Sequence, residues 1–167
     1  MKRKDVKPIP EGYATITPAL TVQDGARMIE FYKEAFGAEE RFRMPTPDGK
    51  GIAHAELKIG DSVFMLGEEM PSAEECSRSP QSLGGTPVGF YVYVKDVDDA
   101  FDRAISAGAT IKHRVENMFW GDRMGTVADP SGHFWTLATH IEEVSPAELE
   151  RRGREAFEKM LQESGRT

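Results

Sequence analysis

An internal duplication constrains the fold of this chain more than any other feature of its sequence. The triplet VQD at 22–24 recurs 72 residues later as VKD at 94–96, and Gly60 recurs at the same distance as Gly132. A repeat of this length is too long for a solenoid, in which the repeating unit has 20 to 50 residues. The chain is therefore predicted to contain two copies of one module rather than an array.

Each copy has the same predicted order of elements. An apolar, strand-like run at 15–22 or 88–94 is followed by an Asp suited to a helix N-cap and then by an amphipathic segment, at 25–37 or 97–108. Three short strands are predicted to follow in each copy. Both copies thus have the order β-α-β-β-β, and the fold class is predicted as α+β. The expected strands lie at 39–44, 52–59 and 62–67 in the first copy and at 110–115, 124–129 and 133–140 in the second.

The modules leave three further segments of the chain. Their composition predicts an N-terminal tail at 1–11 and a surface loop at 68–87, rich in Ser, Pro, Gly and Glu, between modules at 12–67 and 88–142. A separate helix is predicted at 143–167, with Ser145 as N-cap and Pro146 at its first position. We expect its apolar stripe to pack on its own domain or on a dimer partner. The stripe consists of Leu149, Ala156, Phe157, Met160 and Leu161.

Composition excludes two classes of partner. The chain of 167 residues carries a formal net charge of −7, and no Lys/Arg cluster falls on one predicted face. Nucleic-acid binding is not expected, because it depends on a basic surface that neutralises phosphates. No apolar run is long enough to cross a membrane. A single cysteine, Cys76, cannot form an internal disulfide, which favours a cytoplasmic location.

The sequence also resembles a known superfamily. The paired modules, the V-x-D triplets and the segments EFYKEAFGA and DPSGHFW are similar to those of the vicinal oxygen chelate proteins, which include glyoxalases, bleomycin-resistance proteins and extradiol dioxygenases. The resemblance covers about residues 12–142 and is greatest to the PhnB-like branch. It implies that the sheets curl around a cavity. That cavity lies either within one chain or between the subunits of a homodimer.

The resemblance makes its most specific prediction about metal binding. Enzymes of the superfamily hold a divalent metal with His, Gln or Glu side chains from the first and fourth strands of the modules. Carried over, those positions fall at Thr17, Phe64, Gly89 and Thr136, and no His, Asp, Glu or Cys lies within two residues of them. Threonine hydroxyls and backbone carbonyls are poor ligands for Zn²⁺, Ni²⁺, Fe²⁺ or Mn²⁺. We therefore expect no metal and no other cofactor.

The two histidines of the last predicted strand do not form a site together. His133 and His140 are seven residues apart. Side chains alternate between the faces of a strand, so an odd spacing places these two imidazoles on opposite faces. They are therefore not expected to bind one ion from a regular strand.

Polar and aromatic residues remain as candidates. His54 and Glu56 share a strand face, and they form either a general acid–base pair or an ordinary ion pair. The loop segment FWGDRMG places Trp120, Asp122 and Arg123 together, either to recognise a polar ligand or to shape a hairpin through an Asp–Arg contact. Aromatic strand residues line a cavity or fill the core. The ones assigned to ligand binding are Tyr91, Phe64 and Trp135.

Three functional hypotheses follow from these candidates. The first is a metal-free protein that binds a small, partly aromatic organic molecule. Because the chain is acidic, a cationic ligand also suits this hypothesis. The second is a metal-dependent lyase, isomerase or dioxygenase that uses His54, Glu56 or His140 as non-standard ligands. The third is a structural or regulatory partner without a pocket. The sequence contains no G-x-S-x-G, Walker A or G-x-G-x-x-G motif.

Overall fold

The secondary structure follows the predicted order of two modules and a C-terminal helix. A computed structural model describes residues 6–70 and 77–164. Cys76 and part of the predicted 68–87 loop lie outside the described residues. The first module contains β1 (Ala19–Val22), α1 (Gly25–Phe36), β2 (Glu39–Pro45), β3 (Ile52–Ile59) and β4 (Ser62–Glu68). A short helix, α2 (Pro80–Leu83), precedes the second module, which contains β5 (Gly89–Tyr93), α3 (Val97–Ser106), β6 (Thr110–Asn117), β7 (Asp122–Ala128) and β8 (Phe134–His140); α4 (Pro146–Ser164) follows.

Each module forms a four-stranded mixed sheet. The strand orders are β1-β4-β3-β2 and β5-β8-β7-β6, and in both sheets the first strand pairs parallel with the fourth. In the described part of the chain, these sheets do not close into a barrel. The predicted α+β class with two β-α-β-β-β modules and a C-terminal helix is confirmed.

The helix caps arise from the residues that the sequence indicated. Asp24 accepts a hydrogen bond from the backbone N–H of Arg27 at 3.1 Å, and Asp96 does the same for Asp99 at 3.1 Å. Gly37 ends α1 in the left-handed conformation at φ 65°, which glycine adopts without strain. An aspartate side chain thus caps the first helix of each module, although the backbone of Asp24 is left-handed and that of Asp96 is extended.

The two modules share one hydrophobic core. Helices α1 and α3 pack against each other, and Tyr32, Ile29 and Met28 on α1 are completely buried. Trp135 of β8 lies among aromatic rings of the first module, with ring centroids 4.9 Å from Phe36 and 5.5 Å from Tyr32. The modules are thus joined on the helical side of their sheets.

A buried carboxylate completes this junction. Asp129 Oδ2 accepts hydrogen bonds from the Tyr32 hydroxyl at 2.7 Å and from the Trp135 Nε1–H at 3.0 Å. Its Oδ1 accepts from the backbone N–H groups of Ser131 and His133. Burial, followed by the charge and hydrogen bond of Asp129, raises the pKa of Tyr32 well above its ordinary value, so the hydroxyl keeps its proton.

The C-terminal helix begins as predicted. The Ser145 hydroxyl accepts a hydrogen bond from the Glu148 N–H at 3.3 Å, and Arg152 pairs with Glu142 at 2.7 Å, which attaches the first turns of α4 to the second module. Farther along, Phe157 and Leu161 are 61% and 67% exposed. Within residues 6–70 and 77–164, none of the helices is long and apolar enough to cross a membrane.

Candidate functional site

Each sheet has one face that its helices leave uncovered, and we call this its open face. Cross-strand partners share a face, which assigns Phe42, Met44, His54, Glu56 and Met65 to the open face of the first sheet. By the same rule the open face of the second sheet carries Tyr91, Tyr93, Asp122, Thr136 and His140.

The positions that correspond to the superfamily's metal ligands carry no metal-binding side chain. Thr136 shares a hydrogen bond with Thr126 at 2.8 Å, and the Thr17 hydroxyl donates to the Ala14 carbonyl at 3.0 Å. Gly89 has no side chain. In the parts of the chain that the structure describes, no three His, Cys, Asp or Glu residues are grouped so that they could hold a metal ion.

The ligand position on the fourth strand of the first module is not Phe64, the residue that the sequence assigned to it. Tyr91 pairs with Thr136 in the second sheet, but Ala19, which precedes Tyr91 by 72 residues, pairs with Met65 rather than Phe64. Phe64 is consequently on the helical face, where it is buried in the core. Met65 takes the open-face position that corresponds to Thr136, and a thioether does not restore the superfamily's oxygen and nitrogen ligand set.

A cluster of polar and aromatic side chains lies on the open face of the second sheet. Asp122 is only 3% exposed, and its Oδ2 accepts hydrogen bonds from the Tyr91 hydroxyl at 2.8 Å, the Tyr93 hydroxyl at 3.1 Å and Trp120 Nε1–H at 3.3 Å. Its Oδ1 lies 2.8 Å from Nδ1 of His140. We call these five residues the Asp122 cluster.

Strand register brings the Asp122 cluster together. Asp122 on β7 is directly opposite His140 on β8, and β5 on the other side of β8 supplies Tyr91 and Tyr93. Trp120 is placed by the turn before β7, where Gly121 has φ 98°. A Cβ at Gly121 would clash with the carbonyl oxygen of Glu142, so the turn requires glycine both for its backbone angle and for space.

The electrostatics of the cluster favour an ionised carboxylate beside a basic imidazole. Burial alone raises the pKa of Asp122, but the hydrogen bonds from His140, Tyr91, Tyr93 and Trp120 together lower it below its ordinary value. The hydrogen bond to Asp122 raises the pKa of His140. Burial and the same carboxylate raise the pKa of Tyr91 to about 12, so this hydroxyl remains a donor.

Arg123 does not belong to this cluster. Neighbouring residues of a strand face opposite sides, and Arg123 forms hydrogen bonds to Asp98 at 2.6 and 2.7 Å and to Asn117 at 3.0 Å. The Asp–Arg contact at this hairpin is therefore with Asp98 of α3 and not with the adjacent Asp122.

The predicted pair on the first sheet is brought together on its open face. Nε2 of His54 lies 3.4 Å from Oε1 of Glu56, and the ring of Phe42 packs 6.2 Å from the imidazole. A hydrogen bond from Tyr13, followed by weaker effects of His54, lowers the pKa of Glu56 despite some burial. The N-terminal segment with Tyr13 covers part of this face and leaves an open groove of about 540 Å³ that Glu56 and Met65 help to line.

The remaining aromatic candidates are core residues. Phe64 and Trp135 are both buried, with ring centroids 5.8 Å apart, so neither is accessible to a ligand from the open faces. The two histidines of the last strand do lie on opposite faces, as predicted. His133 is buried, and its Nε2–H donates to the Thr21 carbonyl at 2.9 Å between the modules.

Sequence reasoning missed the partnership of Tyr93 and His140 with Asp122. The hairpin of β7 and β8 is centred on Ser131, and residues equidistant from that centre are opposite each other. That rule pairs Asp122 with His140. The period of two along β5 likewise indicates that Tyr93 shares the face of Tyr91.

Comparisons with known proteins agree with this architecture. Residues 14–137 match the model of the Glyoxalase/Bleomycin resistance protein/Dioxygenase superfamily. An uncharacterized protein of Mycobacterium bovis is 46% identical over 138 residues, which cover 81% of this chain and 89% of that protein.

Two solved structures have a similar fold. TioX from Micromonospora sp. ML1 is 27% identical, with a TM-score of 0.57, and the match covers 77% of this chain and 99% of TioX. A glyoxalase/bleomycin resistance protein/dioxygenase family enzyme from Burkholderia phytofirmans PsJN is 20% identical with a TM-score of 0.58, covering 74% and 95% of the two chains. Because the sequence identity to this enzyme is low, the match supports only the fold. The chain described here belongs to the Glyoxalase/Bleomycin resistance protein/Dioxygenase superfamily.

Proposed function

We propose that this protein binds a small, partly aromatic organic molecule on its open faces without the metal ion of the superfamily's enzymes. The Asp122 cluster carries this proposal. Tyr91 and Tyr93 are 46% and 64% exposed, and they stand beside a carboxylate that is almost completely buried. Exposed aromatic surface next to a few fixed polar groups is typical of small-molecule sites.

The metal-free part of the proposal rests on the ligand positions. Thr17, Met65, Gly89 and Thr136 supply no imidazole or carboxylate, and the threonine hydroxyls already have protein partners. We further propose that the chain belongs to the PhnB-like branch, on the strength of the segment DPSGHFWTLATH.

A homodimer is part of the same proposal. A ligand on one open face would remain in contact with solvent, and a second copy of the chain is the cover that we propose. The open face of the first sheet carries exposed Phe42 and Met44, which suit burial against the tyrosines of the second sheet. In a twofold arrangement, the first sheet of each copy would face the second sheet of the other copy, and two equivalent cavities would form. Exposed Phe157 and Leu161 on α4 provide additional apolar surface for this contact.

A ligand screen tests the binding proposal. The purified protein is heated with flat aromatic compounds that carry hydroxyl, amine or carboxylate groups, and stabilising compounds are measured by calorimetry. A ligand at 100 times its Kd stabilises the folded state by about 2.7 kcal/mol. Binding should weaken in Tyr91→Ala and remain in Leu83→Ala, which removes an equally exposed apolar side chain from α2. Equal binding by both variants, or no stabilising compound, would contradict the proposed site.

Metal analysis tests the other half of the proposal. Protein incubated with Zn²⁺, Ni²⁺, Fe²⁺ and Mn²⁺ is desalted, and its metal content is measured by mass spectrometry. We expect background levels. Near-stoichiometric metal that is lost in His54→Gln or His140→Gln would instead support the metal-dependent enzyme with non-standard ligands.

A further inference from the structure

His140 and Asp122 are arranged as a histidine held by a fixed carboxylate. A carboxylate oxygen only accepts hydrogen bonds when ionised, so the 2.8 Å contact from Oδ1 of Asp122 places the proton of His140 on Nδ1. In the neutral imidazole, Nε2 then has a free lone pair. This side chain is about half exposed on the open face, so the lone pair is accessible to a bound molecule.

The carboxylate of Asp122 is held in place by donors other than His140. Oδ2 of Asp122 is held by the hydroxyls of Tyr91 and Tyr93 and by Nε1–H of Trp120, and the side chain is buried. These three donors keep Asp122 ionised and in one position. A carboxylate fixed in this way both orients a histidine and stabilises the imidazolium that forms when the histidine takes a proton.

We propose that His140 is a general base, positioned by Asp122, that takes a proton from an aromatic carbon acid bound against Tyr91 and Tyr93. This inference rests on the proposed function, since it uses the same open face as the binding site. His140 touches the reacting proton, and Asp122 is a positioning residue that acts through it. A second carboxylate lies near the imidazole, since Oε1 of Glu143 is 3.5 Å from Nε2.

Glu143 does not block this base. Its side chain is almost completely exposed, and it is an acceptor like the unprotonated Nε2, so the two form no hydrogen bond while His140 is neutral. Once His140 is protonated, Glu143 adds to the stabilisation of the imidazolium. Both carboxylates raise the pKa of His140, and the hydrogen bond to Asp122 has the larger effect.

A second histidine in the chain provides a matched control. Nε2 of His113 lies 3.0 Å from Oε1 of Glu116, and both side chains are exposed on the surface. This pair also joins an imidazole to a carboxylate, but among the residues that the structure describes no tyrosine or tryptophan donates to that carboxylate. His113 therefore serves as a surface imidazole outside the proposed site.

The test uses 5-nitrobenzisoxazole, a flat aromatic carbon acid. The base removes the ring C–H proton, the electron pair of that bond forms a nitrile, and the ring N–O bond breaks to release a coloured phenolate. The imidazolium then returns its proton to water, so no other reactant is needed. The rate of phenolate release is followed by absorbance between about pH 5 and pH 9, the range in which histidine titrates.

The wild type should release phenolate with a rate that rises with pH to a midpoint above the ordinary histidine value of 6.5. His140→Gln should lower that rate on the order of a hundredfold, the usual contribution of a general base, whereas His113→Gln should leave it unchanged. Asp122→Asn should lower both the rate and the pH of the midpoint, because it removes the charge that raises the pKa of His140. Circular dichroism and urea midpoints verify that each variant is folded.

Several results would overturn the proposal. They are a wild-type rate no greater than that of His140→Gln, equal losses in the His140 and His113 variants, and an unchanged midpoint in folded Asp122→Asn. If Asp122→Asn does not fold, Tyr93→Phe serves instead. It leaves the charge of Asp122 in place and removes one of the donors that disperse that charge, so the midpoint should rise, and an unchanged midpoint in this folded variant would overturn the proposal.

Binding of 5-nitroindole, an unreactive molecule of the same shape, separates the two proposals. Binding of this molecule without His140-dependent elimination contradicts the general base and leaves the binding function intact. Absence of binding by any aromatic compound contradicts the site itself.

Discussion

The hydroxyl of Tyr32 in the first module donates a hydrogen bond of 2.7 Å to the carboxylate of Asp129 in the second, and both side chains are buried. A buried charge that loses one of its donors has no water to replace it. Tyr32→Phe should therefore lower the free energy of unfolding by about 1–3 kcal/mol. Urea denaturation measures this change.

The control for that variant is Tyr93→Phe. Tyr93 also donates to a buried aspartate, at 3.1 Å, but its own ring is largely exposed, and the same carboxylate oxygen keeps the Tyr91 hydroxyl and the Trp120 Nε1–H as donors. We expect a much smaller loss of stability than in Tyr32→Phe. Equal losses would show that the contact between the modules is no more important than an exposed hydrogen bond.

The His140–Asp122 pair should make stability depend on pH. The pKa of His140 is raised in the folded state, so its contribution is complete below the unfolded value of 6.5 and is lost as pH rises through the folded pKa. The difference in unfolding free energy between the wild type and His140→Gln should be larger at about pH 5.5 than at about pH 9. Urea denaturation at both pH values measures it, and a difference that grows with pH would contradict the assignment.

Asp122 sets the lower limit of the pH range in which the His140–Asp122 pair stabilises the folded state. Its folded-state pKa is lowered, so its contribution is present above the unfolded value of 3.8 and is lost as pH falls through the folded pKa. The advantage of the wild type over His140→Gln should therefore decline again in strong acid.

Gly121 should tolerate no side chain. Gly121→Ala combines a positive φ with a clash against the Glu142 carbonyl, and we expect it to cost about 1–3 kcal/mol of unfolding free energy. It should also displace Trp120 and change the emission of that indole. Gly49→Ala is the matched control, since Gly49 has φ 71° but nothing within 4 Å of its Cβ position. A loss no larger than that of Gly49→Ala would show that the turn adapts.

The apolar face of α4 should affect assembly. If two copies associate as proposed, Phe157→Glu should shift the molar mass measured by light scattering from that of a dimer to that of a monomer, because a charge would be buried in the contact. Glu158→Lys changes the charge on the exposed side of the same helix and should leave the mass unchanged. A wild type that is monomeric at every concentration would contradict the homodimer.

Local sequence signals predicted the elements of this fold well. The aspartates that cap the two helices, the amphipathic segments that follow them and the apolar, strand-like runs all depend on neighbours in the chain, which a sequence displays directly. Ser145 and Pro146 marked the start of α4 for the same reason.

Register was harder to predict than secondary structure. The hairpin of β3 and β4 closes through the two residues 60–61, whereas that of β7 and β8 uses the five residues 129–133. Equivalent positions are 72 residues apart in β1 and β5 but 71 apart in β4 and β8, because Ala19 pairs with Met65 and Tyr91 pairs with Thr136. This difference of one residue exchanged Phe64 for Met65 on the open face. Sequence similarity between the modules did not reveal this difference in strand register.

The candidate site was only partly visible for a related reason. Trp120, Asp122 and Arg123 are adjacent in sequence, and adjacency suggested one site, but alternation along β7 separates Arg123 from the others. Tyr93 and His140 lie on other strands, and only the pairing of the sheet brings them to Asp122.

The position of Trp135 has a consequence for how the duplicated chain can evolve. This indole from the second module fills space among Tyr32, Phe36 and Phe64 of the first, so neither half contains all the side chains that cover its own interior. Expressed alone, each half would present a large aromatic surface to water and would associate with any complementary half available. The repeat therefore consists of mutually dependent halves, and a substitution at the junction is selected for its effect on both at once.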